Sequence, residues 1–138
     1  MLGVGVAVAA VAAAVWLGFD TTTPTSGEVA RHEVQVVGPS GMLWDGNVTA
    51  ASDALALLQG AADLNHWSLR VEHHGGFGSR PCDGTYVNGI GPYVETAGGG
   101  WNYYVDSGSG WTWVPESAPC HILHSGDRLQ WRWVEGGP

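Results

Sequence analysis

The sequence predicts an α+β domain in which one helix packs across a mixed sheet, behind an apolar N-terminal span. Three observations predict it. Two C-terminal runs alternate with period two: Trp101, Tyr103 and Val105 against Asn102, Tyr104 and Asp106, then Leu129, Trp131 and Trp133 against Arg128, Gln130 and Arg132. That is the pattern of half-buried strands. Between Thr49 and Leu64 the apolar positions switch to helical spacing. The resulting order, a hairpin, a helix and then several strands, suits one helix laid on a sheet.

At 138 residues the chain is one domain plus an appendage. Setting the apolar N-terminus aside leaves roughly 110 residues, enough for one small core. Five basic residues against 13 acidic ones give a net charge of −8, and the basic residues are all arginine. Such a surface repels phosphate backbones, so nucleic acid is excluded as a partner class.

Residues 1–19 are unbroken by any charge and rich in Val and Ala. As a helix they would span roughly 28 Å, close to the ~30 Å hydrocarbon core of a bilayer. Trp16 suits the membrane interface. The reading is a transmembrane anchor that makes the membrane a partner. A cleaved signal peptide is the alternative, disfavoured because no basic residue precedes Arg31 and the run ends Val-Trp-Leu-Gly-Phe, a poor cleavage site. A buried core helix is the third reading; a terminal helix apolar all round is hard to bury in so small a domain.

Residues 20–31 form a Thr/Pro/Ser/Gly stretch that reads as a flexible linker, and the folded domain is expected over 32–138. Val34 and Val36 alternate with Glu33 and Gln35 as a first strand. Gly38-Pro39-Ser40-Gly41 is a turn. Met42 to Val48 reads as a second short strand broken by a tight turn at Asp45-Gly46-Asn47. The helix follows, with Thr49 or Ser52 as its cap, Asp53 near its first turn, and Ala51, Leu55, Leu58 and Ala62 on one face; Gly60 is a place where it would end early. Trp67, Leu69 and Val71 mark a third strand and Tyr86 to Ile90 a fourth, ahead of the aromatic pair.

Three of these segments carry a family resemblance. Tyr86-Val87-Asn88-Gly89-Ile90, Gly100-Trp101-Asn102-Tyr103-Tyr104-Val105-Asp106 and Ser125-Gly126-Asp127-Arg128-Leu129-Gln130-Trp131 resemble the DUF4430 family, whose domains are similar to the C-terminal domain of transcobalamin and gastric intrinsic factor. Val48 to Leu55 resembles that family's hairpin-to-helix junction. The resemblance covers roughly 33–134 and implies a β-grasp-like sheet crossed by one helix. It also raises cobalamin, or another corrinoid, as a ligand. Two departures stand against carrying that over whole. Asp106-Ser107-Gly108 replaces the usual Asn-Gly. The vertebrate carriers hold the corrinoid between this domain and a large helical domain, which these 138 residues do not contain.

Cys82 and Cys120 point to one disulfide if the domain lies outside the membrane. Free thiols are the plain alternative. A metal site drawing on Cys82, His73, His74, His121 and His124 is the sharper one, but ligand spacing such as Cys-x-x-Cys is missing, and no metal is assigned. Trp101, Tyr103, Trp111 and Trp113 are the candidate ligand-binding residues. Against a core role for all four stands Trp111-Thr112-Trp113, read as a loop tip between Gly110 and Pro115 with little bulk to bury it. Asn47-Val48-Thr49 is an N-glycosylation acceptor pattern. No nucleophile elbow or phosphate loop is present, and Asp83, Asp106 and Asp127 sit in turn contexts, so no catalytic residue is assigned.

The expected function is a membrane-tethered extracytoplasmic binding or interaction module, not an enzyme, with a flat apolar ligand such as a corrinoid. The alternatives are a structural accessory domain acting through protein or glycan contacts, and, weaker, a metal-dependent enzyme.

Overall fold

The computed structural model describes residues 28–74 and 80–136. The expected anchor over 1–19 and most of the expected linker lie outside the described residues. Among the described residues no helix is long and apolar enough to cross a membrane.

Strand β1 (Val29–Gly38) turns into β2 (Gly41–Ala51), followed by helix α1 (Ala54–Asn65), β3 (Leu69–His73), β4 (Thr85–Ile90), β5 (Tyr93–Val94), β6 (Gly99–Asp106), β7 (Trp111–Trp113), a 3-10 turn (Ala118–Cys120) and β8 (Arg128–Glu135). The main sheet has the order β2-β1-β8-β6-β7, and β3-β4-β5 form a second, three-stranded sheet. The main sheet is mixed: β8 runs parallel to β1, with Val34 opposite Leu129 and Val36 opposite Trp131, and antiparallel to β6. The α+β class with one helix and a mixed sheet is therefore observed. The separate second sheet was not foreseen.

One face of the main sheet makes the core. Val34 and Val36 of β1, Val48 of β2, Leu129 and Trp131 of β8, and Trp101, Tyr103 and Val105 of β6 meet Leu57, Leu58 and Ala61 of α1, with Ile90 of β4 and Leu123 completing it. Each fully buried side chain of this kind contributes roughly 1.5–3 kcal/mol. The period-two reading of β6 and β8 thus placed the inward set correctly.

Five local expectations are corrected. The first strand starts at Val29, inside the expected linker, because Val29, Ala30 and Arg31 pair with Ala51, Ala50 and Thr49. The second strand is continuous through Gly46. That glycine makes room for the Trp44 ring, since a Cβ there would lie 2.3 Å from Trp44 Cζ2. The helix cap is Asp53, whose Oδ1 accepts from the Ala56 amide at 2.8 Å; burial holds its carboxyl above the ordinary value. The helix passes Gly60 without ending and stops at His66, which takes the left-handed conformation at φ 58°. Its buried face is Ala54, Leu57, Leu58, Ala61 and Ala62; of the expected set Leu58 and Ala62 lie on it, Leu55 is half-buried beside it, and Ala51 belongs to β2.

Candidate ligand cleft and outer sheet face

The second sheet does not extend the main one. Residues of both sheets line an open cleft of about 1250 Å³. Trp101 and Tyr103 of β6 form its floor. Both are nearly buried, at 8% and 4% exposure, and both have their polar ends committed: Trp101 Nε1–H donates to the Tyr93 carbonyl at 2.9 Å and the Tyr103 hydroxyl to the Glu116 carbonyl at 2.7 Å. Burial raises the Tyr103 phenol above its ordinary pKa. One wall carries Tyr86, Asn88 and Glu72. Asn88 and then His74 hydrogen-bond the Glu72 carboxylate and hold it below its ordinary range. The opposite rim carries Trp113 and Glu116. Tyr86 is 52% exposed, so the cleft offers one aromatic side chain with accessible ring surface, while Trp113 borders it from the edge of the main sheet.

One end of the cleft is stapled. Cys82 and Cys120 are joined by a disulfide with Cα atoms 5.2 Å apart. Asp83 Oδ1 lies 3.3 Å from Cys120 Sγ, a contact rather than a hydrogen bond because a disulfide sulfur carries no proton. Ser117 Oγ accepts from the Thr85 amide at 3.0 Å and sits 2.8 Å from the Cys82 carbonyl, to which it donates. Arg80 bridges Glu116 at 3.1 Å and Asp83 at 3.2 Å, and these carboxylates raise its pKa. With both sulfurs in the bridge, the cysteine-based metal arrangement has no thiolates. His121 is engaged elsewhere, 3.0 Å from Glu116.

The structure brings three of the four candidate binding residues to this cleft: Trp101, Tyr103 and Trp113. Trp111 is not among them. Trp111 to Trp113 is not a loop tip but the short edge strand β7, paired with Tyr104–Asp106. Cross-strand partners share a face, so Trp111 and Trp113 stand with Asp106 and Tyr104 on the side of the main sheet away from the core. There the Arg128 guanidinium lies over the Trp111 ring at 4.7 Å and the Arg132 guanidinium over Tyr104 at 4.0 Å. A hydrogen-bonded row continues across the sheet: Arg132 to Gln130 at 2.7 Å, Gln130 to Gln35 at 2.7 Å, Gln35 to Asp45 at 3.3 Å. Asn47 and Thr49 are exposed on β2. Tyr86, absent from the sequence-derived set, is the main addition. Its only sequence signal was its place in the segment that carries the family resemblance.

No protein-family model matches this sequence, and no curated protein matches it either. Among solved structures the chain is similar to haptocorrin in complex with Cbi, with a TM-score of 0.59 and 17% identity over 77% of this chain. The likeness covers 25% of the haptocorrin chain, so this chain spans about a quarter of that protein's length. At this identity the likeness is one of fold.

Proposed function

We propose that this chain is a membrane-tethered, extracytoplasmic binding module of the DUF4430 type. In this reading its β-grasp-like domain takes a flat, largely apolar ligand of the corrinoid class into the cleft between its two sheets, without catalysing a reaction. The observation that carries the proposal is the cleft itself: an aromatic floor already committed to the core, and a half-exposed aromatic ring, Tyr86, on its wall. Ligand sites are characteristically concave and apolar with a few placed polar groups, here Asn88, Glu72 and Arg80. The choice of corrinoids rests on the DUF4430 resemblance and on the fold shared with haptocorrin, a protein solved with Cbi bound. The Cys82–Cys120 disulfide supports placement outside the cytoplasm, where such bonds persist. The apolar residues 1–19 supply the tether, and Asn47 is the glycan acceptor in this reading.

The test is calorimetric titration of the full-length chain with cyanocobalamin, beside thermal unfolding. Wild type binds. Tyr86→Ala weakens binding at least tenfold while the thermal midpoint moves little, because Tyr86 is half exposed. An unchanged affinity in Tyr86→Ala removes the cleft from the site. No heat of binding with wild type removes the corrinoid class and leaves the accessory-domain reading.

A further inference from the structure

We infer that the outer face of the main sheet is a second binding site, separate from the cleft, and that its ligand is a neutral polysaccharide chain. The argument begins with charge. Facing away from the core on the five strands stand three arginines, Arg31, Arg128 and Arg132, and three carboxylates, Glu33, Asp45 and Asp106, as the strand registers require. The face is therefore balanced, although the chain as a whole carries −8. Three of its five basic residues have been placed here, and the rest of the molecule bears the whole net charge. A face built to meet a charged polymer would show one sign. This one shows neither.

The second part is shape. Across β8, β6 and β7 this face carries a run of planar groups. Arg128 lies over Trp111 and Arg132 over Tyr104, and the side-chain amides of Gln130 and Gln35 bond to one another. Gln130 is only 6% exposed although it points away from the core, so it is covered by its neighbours. An ordinary solvated sheet face carries long side chains extended into water. Here aromatic rings and planar polar groups sit side by side. A pyranose ring has the matching chemistry, with a C–H face that packs on an aromatic ring and equatorial hydroxyls that bond to fixed guanidinium, carboxylate and amide groups. Aromatic rings give such contacts large area at small entropic cost.

The third part is extent. Trp111 and Trp113 lie on one side of β7, two residues apart, so their Cα atoms are separated by roughly 6.5–7 Å along the strand. Tyr104 lies directly across from Trp113. The aromatic strip is open at the sheet edge, where Trp113 is 52% exposed, so a chain longer than one sugar can lie along it.

The test is native affinity electrophoresis of the full-length chain in a polyoxyethylene detergent, which has no sugar headgroup to compete. The gels contain hydroxyethylcellulose, galactomannan or, as the anionic control, alginate. The expected result is retardation in at least one neutral gel and none in alginate. Trp111→Ala and Tyr104→Ala weaken retardation at least tenfold, Trp111→Phe retains most of it, and the cleft variant Tyr86→Ala leaves it unchanged. Absence of retardation of wild type in both neutral gels overturns the proposal whatever the variants do. So does retardation that the face variants leave intact. Sedimentation of wild type as a dimer that Trp111→Ala dissolves assigns the face to a second copy of the chain and overturns it equally. Cyanocobalamin titration of Trp111→Ala keeps this outcome distinct from the cleft reading, since that affinity is expected to stay at the wild-type value.

Discussion

Asp106 and Arg128 face each other across the β6–β8 ladder and are joined by a charge-assisted hydrogen bond. Asp106 also accepts from the amides of Gly108 at 2.7 Å and Gly110 at 3.1 Å, which shapes the turn into β7. Arg128 in turn reaches Glu33 at 3.5 Å and lies over Trp111. One carboxylate thus fixes both the arginine that supports the outer face and the turn that presents the edge strand.

This pair gives a pH dependence with a definite sign. The Arg128 guanidinium first, and then the two glycine amides, hold the Asp106 carboxyl at about 2, below its ordinary 3.8. A depressed carboxyl stabilises the fold above its unfolded value and loses that contribution as pH falls through the folded one. Urea unfolding from pH 6 to pH 2 is expected to show wild type losing its advantage over Asp106→Asn between about pH 4 and pH 2. Asp53 is shifted the other way by burial, but it is common to both proteins and cancels in the difference. Parallel curves over that window would remove the pair from the acid response.

The disulfide closes a loop of 38 residues. Chain entropy assigns such a closure about 3–4 kcal/mol of stability. Cys82→Ser with Cys120→Ser is expected to lower the unfolding free energy by that order. Thiol titration of native wild type is expected to find none reactive. A double variant as stable as wild type would show that the Ser117 and Arg80 bonds hold this end of the cleft without it.

The legible parts of the fold were those where one periodicity dominates. Alternation named Val34, Val36, Trp101, Tyr103, Leu129 and Trp131 as inward, and all are buried. The errors gathered at glycines. Gly46 and Gly60 read as breaks, because glycine usually relaxes the backbone, yet here each admits a neighbouring side chain, Trp44 and Val48. Trp111 and Trp113 were read as a loop tip because a three-residue edge strand between Gly110 and Pro115 is too short to show a periodicity. Tyr86 was overlooked as a site residue because the outward residue of a strand reads as solvated. Only the placement of the second sheet, which local pattern does not encode, makes it a cleft wall.

Gly60 supplies a test in which two effects oppose. Alanine improves helix propensity by at most about 1 kcal/mol. Its Cβ would lie 2.4 Å from Val48 Cγ1, and Val48 is 2% exposed with little room to move. Overpacking of this kind costs about 1–3 kcal/mol. The clash is expected to win, so Gly60→Ala lowers the urea midpoint at unchanged slope. A raised midpoint would mean that the α1–β2 contact is looser than this approach implies.

The floor of the cleft separates a structural role from a binding one. Tyr103→Phe keeps the ring and loses one hydrogen bond, from the hydroxyl to the Glu116 carbonyl. A net loss of about 0.5–1.5 kcal/mol is expected, with larger values if the carbonyl is left unsatisfied. Trp101→Ala empties a buried site beside Trp133, whose ring meets it edge-on at 5.5 Å, and is expected to cost about 3–5 kcal/mol. Neither change is a clean probe of ligand contact, because both act through the fold that sets the cleft's width. The informative comparison is cyanocobalamin affinity against unfolding free energy for Tyr103→Phe, Trp101→Ala and Tyr86→Ala together. If the floor is structural, the first two lose stability, and affinity follows only as far as the fold is perturbed. Tyr86→Ala loses affinity alone. If Tyr103→Phe loses affinity tenfold at nearly wild-type stability, its hydroxyl touches the ligand, and the Tyr103–Glu116 bond must open when the cleft fills.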